Sequence, residues 1–171
     1  MKKILIIFLL LLIGFSLYAI SLNLDLSTAC DFAFSSGQEY YVDAQFPILE
    51  GFCLTVPISL CCYDGLALGT VGLELAYYPW NKGAFVSFAI LELGKELNSN
   101  FLEKELFSLN EIKLGWKQEF SNNFQVELQL DVRNPSKTFE DEYEKIRTVF
   151  PNYKDLRIRI LVGWKLNGVK K

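Results

Sequence analysis

The residues of this chain whose types bear on chemistry are four cysteines, a run of carboxylates near the C-terminal third, and acids and guanidines repeated at every second position. Histidine is absent, which removes the commonest general base and the commonest metal ligand together. Cys30, Cys53, Cys61 and Cys62 permit disulfides outside the cytosol, in any of three connectivities for four thiols. Adjacent Cys61 and Cys62 point to opposite faces of a strand and are poorly placed to pair with each other. No CxxC spacing occurs, so zinc is not expected. Glu140, Asp141, Glu142 and Glu144 include paired acids of the kind a glycosidase uses. They lie in a densely charged segment, however, where a solvated helix face is the simpler reading. Gly65-Leu-Ala-Leu-Gly69 lacks the lysine of a phosphate-binding loop. The expectation is a non-enzymatic protein, with no catalytic, cofactor-binding or metal residues assigned. One ionic set stands apart. Glu127 and Asp131 share a face of one alternating segment, and Arg157 and Arg159 share a face of the next. Shielded inside a barrel they form strong pairs, whereas on a wet surface they contribute little.

The elements that must position these groups are read from period-2 alternation. Leu22, Leu24, Leu26, Thr28, Cys30, Phe32 and Phe34 alternate with Asn23, Asp25, Ser27, Ala29, Asp31 and Ala33. Further alternating runs start at Phe52, Val71, Glu111, Phe124 and Leu156, the last two ending at Arg133 and Leu166. Pro57 is awkward within its run because it removes a ladder donor. Residues 39–46 make a weaker strand, and 84–94 is apolar on both faces apart from Ser87, Ala89 and Glu92. Together these are eight strands. Short turns are expected at 47–51, 78–83 and 121–123, where Pro, Gly and Asn cluster, and at 35–38. Longer links are expected at 62–68, 96–108 and 134–154. The fold class is therefore all-β: an eight-stranded antiparallel up-and-down β-barrel with unlike rims. Its last long loop carries a short amphipathic helix. There Thr138 is the expected cap, and Phe139, Tyr143, Ile146 and Phe150 share a stripe. Asp141 and Lys145 are spaced to pair, and Pro151 ends the helix. That stripe is expected to pack on the barrel rim as a plug, with an extracellular or envelope protein partner on 134–154 as the competing use. A second short helix is expected over 99–107, with Phe101, Leu102 and Leu106 inward.

Residues 1–19 read as a signal peptide: Lys2 and Lys3, an apolar run from Ile4, then Ala19. Cleavage as late as Ser21 fits the small-x-small rule. A single barrel domain, 20–171, follows. The chain has 171 residues, 51% hydrophobic and 15% aromatic, with a net charge of −3. Aromatic-rich, charge-poor composition suits strands, and the absence of a basic excess argues against nucleic acid.

Alternation alone does not say which face is wet. Small residues and charges of both signs on the polar face suit a narrow, filled lumen. Tyr77, Tyr78, Trp80, Trp116, Phe120 and Trp164 gather towards strand ends, together with Phe32 and Phe34, as at a membrane interface. The apolar runs are long enough for a tilted transmembrane strand.

With its export signal, strand count, loop asymmetry and the Tyr77-Tyr78-Pro79-Trp80-Asn81-Lys82-Gly83 hairpin, residues 20–168 resemble the small outer-membrane β-barrels of Gram-negative and spirochaete-like bacteria, the OmpA- and OmpX-type class. The chain departs from that class at its end, where Leu166-Asn167-Gly168-Val169-Lys170-Lys171 stands in place of a terminal aromatic residue. The resemblance implies an outer-membrane location in contact with membrane lipids, a structural or surface-interaction role and no open pore. Barrels of this kind that hydrolyse or transfer acyl groups would need a Ser–His pair. The alternative is a periplasmic calycin-like barrel that binds a hydrophobic ligand.

Overall fold

The computed structural model describes residues 20–29, 31, 37–80, 83–98, 106–120 and 123–166. Residues 1–19, where a signal peptide is expected, Cys30, Phe32, Phe34, and Phe101 and Leu102 of the expected second helix lie outside the described residues. The strands are β1 (Ile20–Asp25), β2 (Gly37–Leu49), β3 (Phe52–Tyr63), β4 (Leu66–Tyr77), β5 (Gly83–Glu96), β6 (Phe107–Leu109), β7 (Glu111–Glu119), β8 (Phe124–Arg133) and β9 (Leu156–Leu166). One helix, α1 (Glu140–Val149), lies between β8 and β9.

All pairings are antiparallel. They run β4-β3-β2-β1-β9-β8-β7-β5, and β4 pairs with β5 to close the ring. Both β6 and β7 pair with β5, so they are two pieces of one stave, interrupted at Asn110. The result is a closed eight-stranded barrel. Each stave pairs with a neighbour on both sides over at least part of its length. The strand ends Leu49, Phe52, Tyr77, Gly83, Glu119 and Phe124 mark one end, here the turn rim; Asp25, Gly37, Tyr63, Leu66, Glu96, Arg133 and Leu156 mark the other, the loop rim.

Several local expectations are corrected. The alternation from Leu22 to Phe34 does not continue as strand, because β1 ends at Asp25. Asp25 Oδ1 accepts hydrogen bonds from the Ser27 backbone N–H (2.8 Å) and hydroxyl (2.6 Å). Such a local side-chain turn competes with the ladder. The link at 62–68 is a two-residue hairpin, with Asp64 and Gly65 both at positive φ. An Asp-Gly pair accepts that conformation, and the flanking residues extend β3 and β4. Pro57 sits inside β3 opposite Gly72, whose missing Cβ would lie 3.0 Å from the proline ring. The apolar run 84–94 contains a bulge: Leu73 pairs with Leu91 and Glu74 with Ala89. Ile90 is the extra residue, so Ser87 and Glu92 both turn inward although their numbers differ in parity. Leu106 is exposed rather than inward.

Leu24, Leu128, Ile158 and Ile160 are exposed on the outer face, and Val126 lies half-buried on the same face of β8. Their neighbours Asn23, Asp25, Glu127, Gln129 and Arg159 are buried within. The barrel is thus apolar outside and ionic inside.

Candidate functional site

The interior is a layered ionic network carried by alternate residues of the staves. Towards the loop rim its centre is Arg159, 1% exposed. Its guanidinium bonds Glu39 and Asp131, reaches Asp25 at 3.1 Å and lies 4.3 Å from the Tyr41 ring centre. Arg133 bonds Glu39 and Glu111 (2.7 Å to the latter) and stacks 3.8 Å from the Tyr153 ring centre. Arg157 bonds Asp31 at 2.7 Å. Midway, Lys113 donates to Glu74 (2.6 Å) and to the Tyr41 hydroxyl (2.9 Å). Ser87 also donates to Glu74, at 3.0 Å. Towards the turn rim, Lys117 pairs with Glu127 at 3.1 Å, and Gln45 donates to the same carboxylate at 3.0 Å. A chain of amides completes this layer: Gln125 donates to Asn23 and Asn23 to Asp43, each at 2.6 Å.

The expected β8–β9 pairing of acids with guanidines holds for Asp131 and Arg159. It does not hold for the other two groups. Glu127 takes Lys117 of β7, and Arg157 turns to Asp31 beyond the end of β1. Glu39 is the residue that sequence reasoning missed: it joins Arg133 and Arg159 from what looked like the weakest strand. Its signal was present as Glu39, Tyr41, Asp43 and Gln45 alternating on one face of β2.

The loop rim is closed by α1. Tyr143, Ile146, Phe150 and Tyr153 are buried against Cys61, Leu68, Phe107 and Leu109, with Phe139 partly buried beside them. The stripe is therefore a plug. It docks where the β6–β7 stave breaks: the Tyr143 hydroxyl donates to the Asn110 carbonyl at 2.8 Å. Burial pushes the Tyr143 and Tyr153 hydroxyls above the usual phenol range. Thr138 is not the cap, since its hydroxyl pairs with Ser136 at 2.7 Å. The N-cap is Phe139, which makes no side-chain cap bond; Asn134 accepts from the Phe139 N–H at 3.3 Å and donates to Glu140 at 2.7 Å. The ion pairs of the helix run through Arg147, to Glu140 (2.7 Å) and Asp155, rather than between Asp141 and Lys145.

Cys53, Cys61 and Cys62 are free thiols, so the disulfide expectation is corrected for these three. Cys53 and Cys61 are buried within separate apolar clusters. Among the described residues no group of three or more Cys, Asp or Glu side chains is placed to hold a metal ion.

The outer face has its own order. Phe52, Tyr77, Trp80, Trp116, Phe120 and Trp164 are exposed at the turn rim. They are linked by contacts such as Phe52–Tyr77 (4.9 Å between ring centres) and Phe124–Trp164 (5.1 Å). Gly83, at φ 80°, leaves room for Trp116, which would lie 3.1 Å from any Cβ there. Tyr78 departs from the girdle: it is buried, 5.1 Å from Phe85 and beneath Lys117. No protein family, curated protein or solved structure matches the chain.

Proposed function

We propose that this protein is a non-enzymatic β-barrel of the outer membrane, with a structural or surface-interaction role and no open pore. The observation that carries the reading is the inverted barrel. Outward leucines, isoleucines and valines encircle a lumen filled by ion pairs, the reverse of what water outside would select. On β9 the outward residues Leu156, Ile158, Ile160, Val162, Trp164 and Leu166 span eleven positions. At ~3.3 Å per residue and a tilt of ~40°, that makes an apolar band about 25 Å tall. The aromatic girdle at the turn rim fits the interface between lipid and water, where rings with polar tips gather.

The filled lumen and the α1 plug argue against conduction. The alternative, a periplasmic calycin-like barrel with a hydrophobic ligand, needs an apolar lumen, and the described lumen is lined by Arg159, Lys113, Glu39 and their partners. A surface role falls to the exposed side of α1, where Asp141, Glu144 and Lys145 face away from the barrel. Membrane fractionation with detergent-gel electrophoresis tests the reading. The expected result is recovery with the outer-membrane fraction and a folded band that shifts on heating. A body that stays folded and monomeric without detergent would sink it.

A further inference from the structure

The lumen holds more acid than base. Among the described residues, nine carboxylates and four cations are buried, and Arg157 adds a fifth cation beside them. Six of the nine acids have a cation within 4 Å. Asp43, 3% exposed, has none among the described residues.

Its surroundings explain why. Asp43 points inward from β2, in register with Asn23 of β1 on one side and Pro57 of β3 on the other. Asn23 Nδ2 donates to Asp43 Oδ1 at 2.6 Å, whereas a proline side chain has nothing to donate. Gly163 of β9, beyond Asn23, carries no side chain. The charged groups that act on Asp43 from other staves are Glu127 of β8, Lys113 of β7 and Glu74 of β4. Lys113 is bound to Glu74 and to the Tyr41 hydroxyl. Lys117 is bound to Gln45 and to Glu127. Glu127 also accepts from Gln129 Nε2 at 3.0 Å. Asp43 Oδ2 is left without a hydrogen-bond partner, and so are the Oε1 atoms of Gln125 and Gln129. All three orphans are acceptors, so this part of the lumen is short of a donor rather than of space.

We propose that Asp43 holds a proton on Oδ2 in the folded barrel, a neutral carboxylic acid beside the Glu127 carboxylate. The protonated group keeps Oδ1 as the acceptor for Asn23 and turns Oδ2 into the missing donor. A second bare carboxylate here would be desolvated without a counter-charge, and acids that share a site relieve their repulsion by keeping one of them protonated. Glu127, with the Lys117 ammonium and two amides on it, is the acid that stays charged. The proposal concerns the lumen alone and stands whatever medium meets the outer face.

The test is infrared spectroscopy of the full chain folded in detergent at pH ~7, where exposed carboxyls are ionised. A protonated side-chain carboxyl adds a C=O stretch above the amide and carboxylate bands. Labelling aspartate at its side-chain carboxyl with a heavy carbon isotope should move this band to lower frequency in the otherwise unchanged chain. Asp43→Asn should remove the label-sensitive band, and Asp141→Asn, on the exposed side of α1, should leave it in place. A spectrum of the unsubstituted chain without a label-sensitive band, or a band that survives Asp43→Asn, overturns the proposal. The labelled unsubstituted chain suffices to refute it should Asp43→Asn fail to fold.

Discussion

Removing Arg159 is the sharpest perturbation of the lumen. The guanidinium is 1% exposed and contacts Asp25, Glu39 and Asp131. Glu39 keeps Arg133 and Arg157, and Asp25 keeps Arg157 at 3.9 Å and its bonds from Ser27. For Asp131, Arg159 is the one cation within 4 Å among the described residues. Arg159→Met preserves the aliphatic stem but leaves Asp131 buried and uncompensated. Breaking a buried pair in this way costs about 3–5 kcal/mol, a large share of the ~5–15 kcal/mol that holds a typical domain together. Asp131→Asn placed on top of Arg159→Met removes the orphaned charge and should recover about 1–2 kcal/mol. Arg147→Met is the control. Arg147 also pairs with two acids, yet its side chain is 27% exposed and Asp155 is 56% exposed, so its loss should cost under ~1 kcal/mol. The assay is urea unfolding in detergent micelles, followed by tryptophan fluorescence and by the folded band on unheated gels. A cost below ~1 kcal/mol for Arg159→Met, or a double variant no more stable than the single, would refute the reasoning.

Leu128→Arg places a charge mid-stave on the outer face, where the leucine is 53% exposed. It should cost about 2–4 kcal/mol in a bilayer, and near zero in equilibrium unfolding would mean that water already meets this face. Gly163→Ala should destabilise by about 3 kcal/mol or more. Its Cβ would fall on the Asn23 side-chain oxygen and 2.8 Å from the Leu22 carbonyl, and Asn23 is held at both ends by Asp43 and Gln125; an unchanged urea midpoint would contradict this. For the plug, burial raises the Tyr143 and Tyr153 hydroxyls, so the fold favours the neutral phenols. Their contribution is full below pH ~10, where unfolded tyrosine begins to ionise, and drains as pH rises further. The protection factor across 140–153, taken against the hydroxide-catalysed intrinsic rate, should therefore fall above pH ~10, and a protection factor unchanged at pH ~11 would show that these hydroxyls do not hold the helix.

Alternation made the staves legible because one face of each had to be apolar, and β8 reads the same from sequence and structure. It failed where the chain leaves the sheet without breaking the pattern. Leu24, Leu26 and Thr28 keep the period, yet Asp25 turns the backbone through its carboxylate. It also failed at Ile90, where a bulge shifts the inward parity from Ser87 to Glu92. Asp64-Gly65 falls within the longer link expected at 62–68, although its turn chemistry suits a two-residue hairpin. The ion network was half legible. Its acids and bases were visible on the correct faces, but partners such as Glu39 with Arg133, far apart in sequence, follow from barrel closure rather than local spacing. The α1 stripe was plain from its period, whereas its start was not, because the N-cap is Phe139, whose side chain makes no cap bond, and the Asn134 side chain reaches its N–H from five residues away.

The account turns on whether the outer face meets lipid. The chain's three tryptophans, Trp80, Trp116 and Trp164, are all exposed at the turn rim, so native fluorescence reports on that question without substitution. In vesicles of phospholipid brominated either near the headgroup or deep in the acyl chain, the shallow bromines should quench the emission strongly and the deep ones weakly. Emission unchanged by bromines at either depth would contradict the membrane barrel outright.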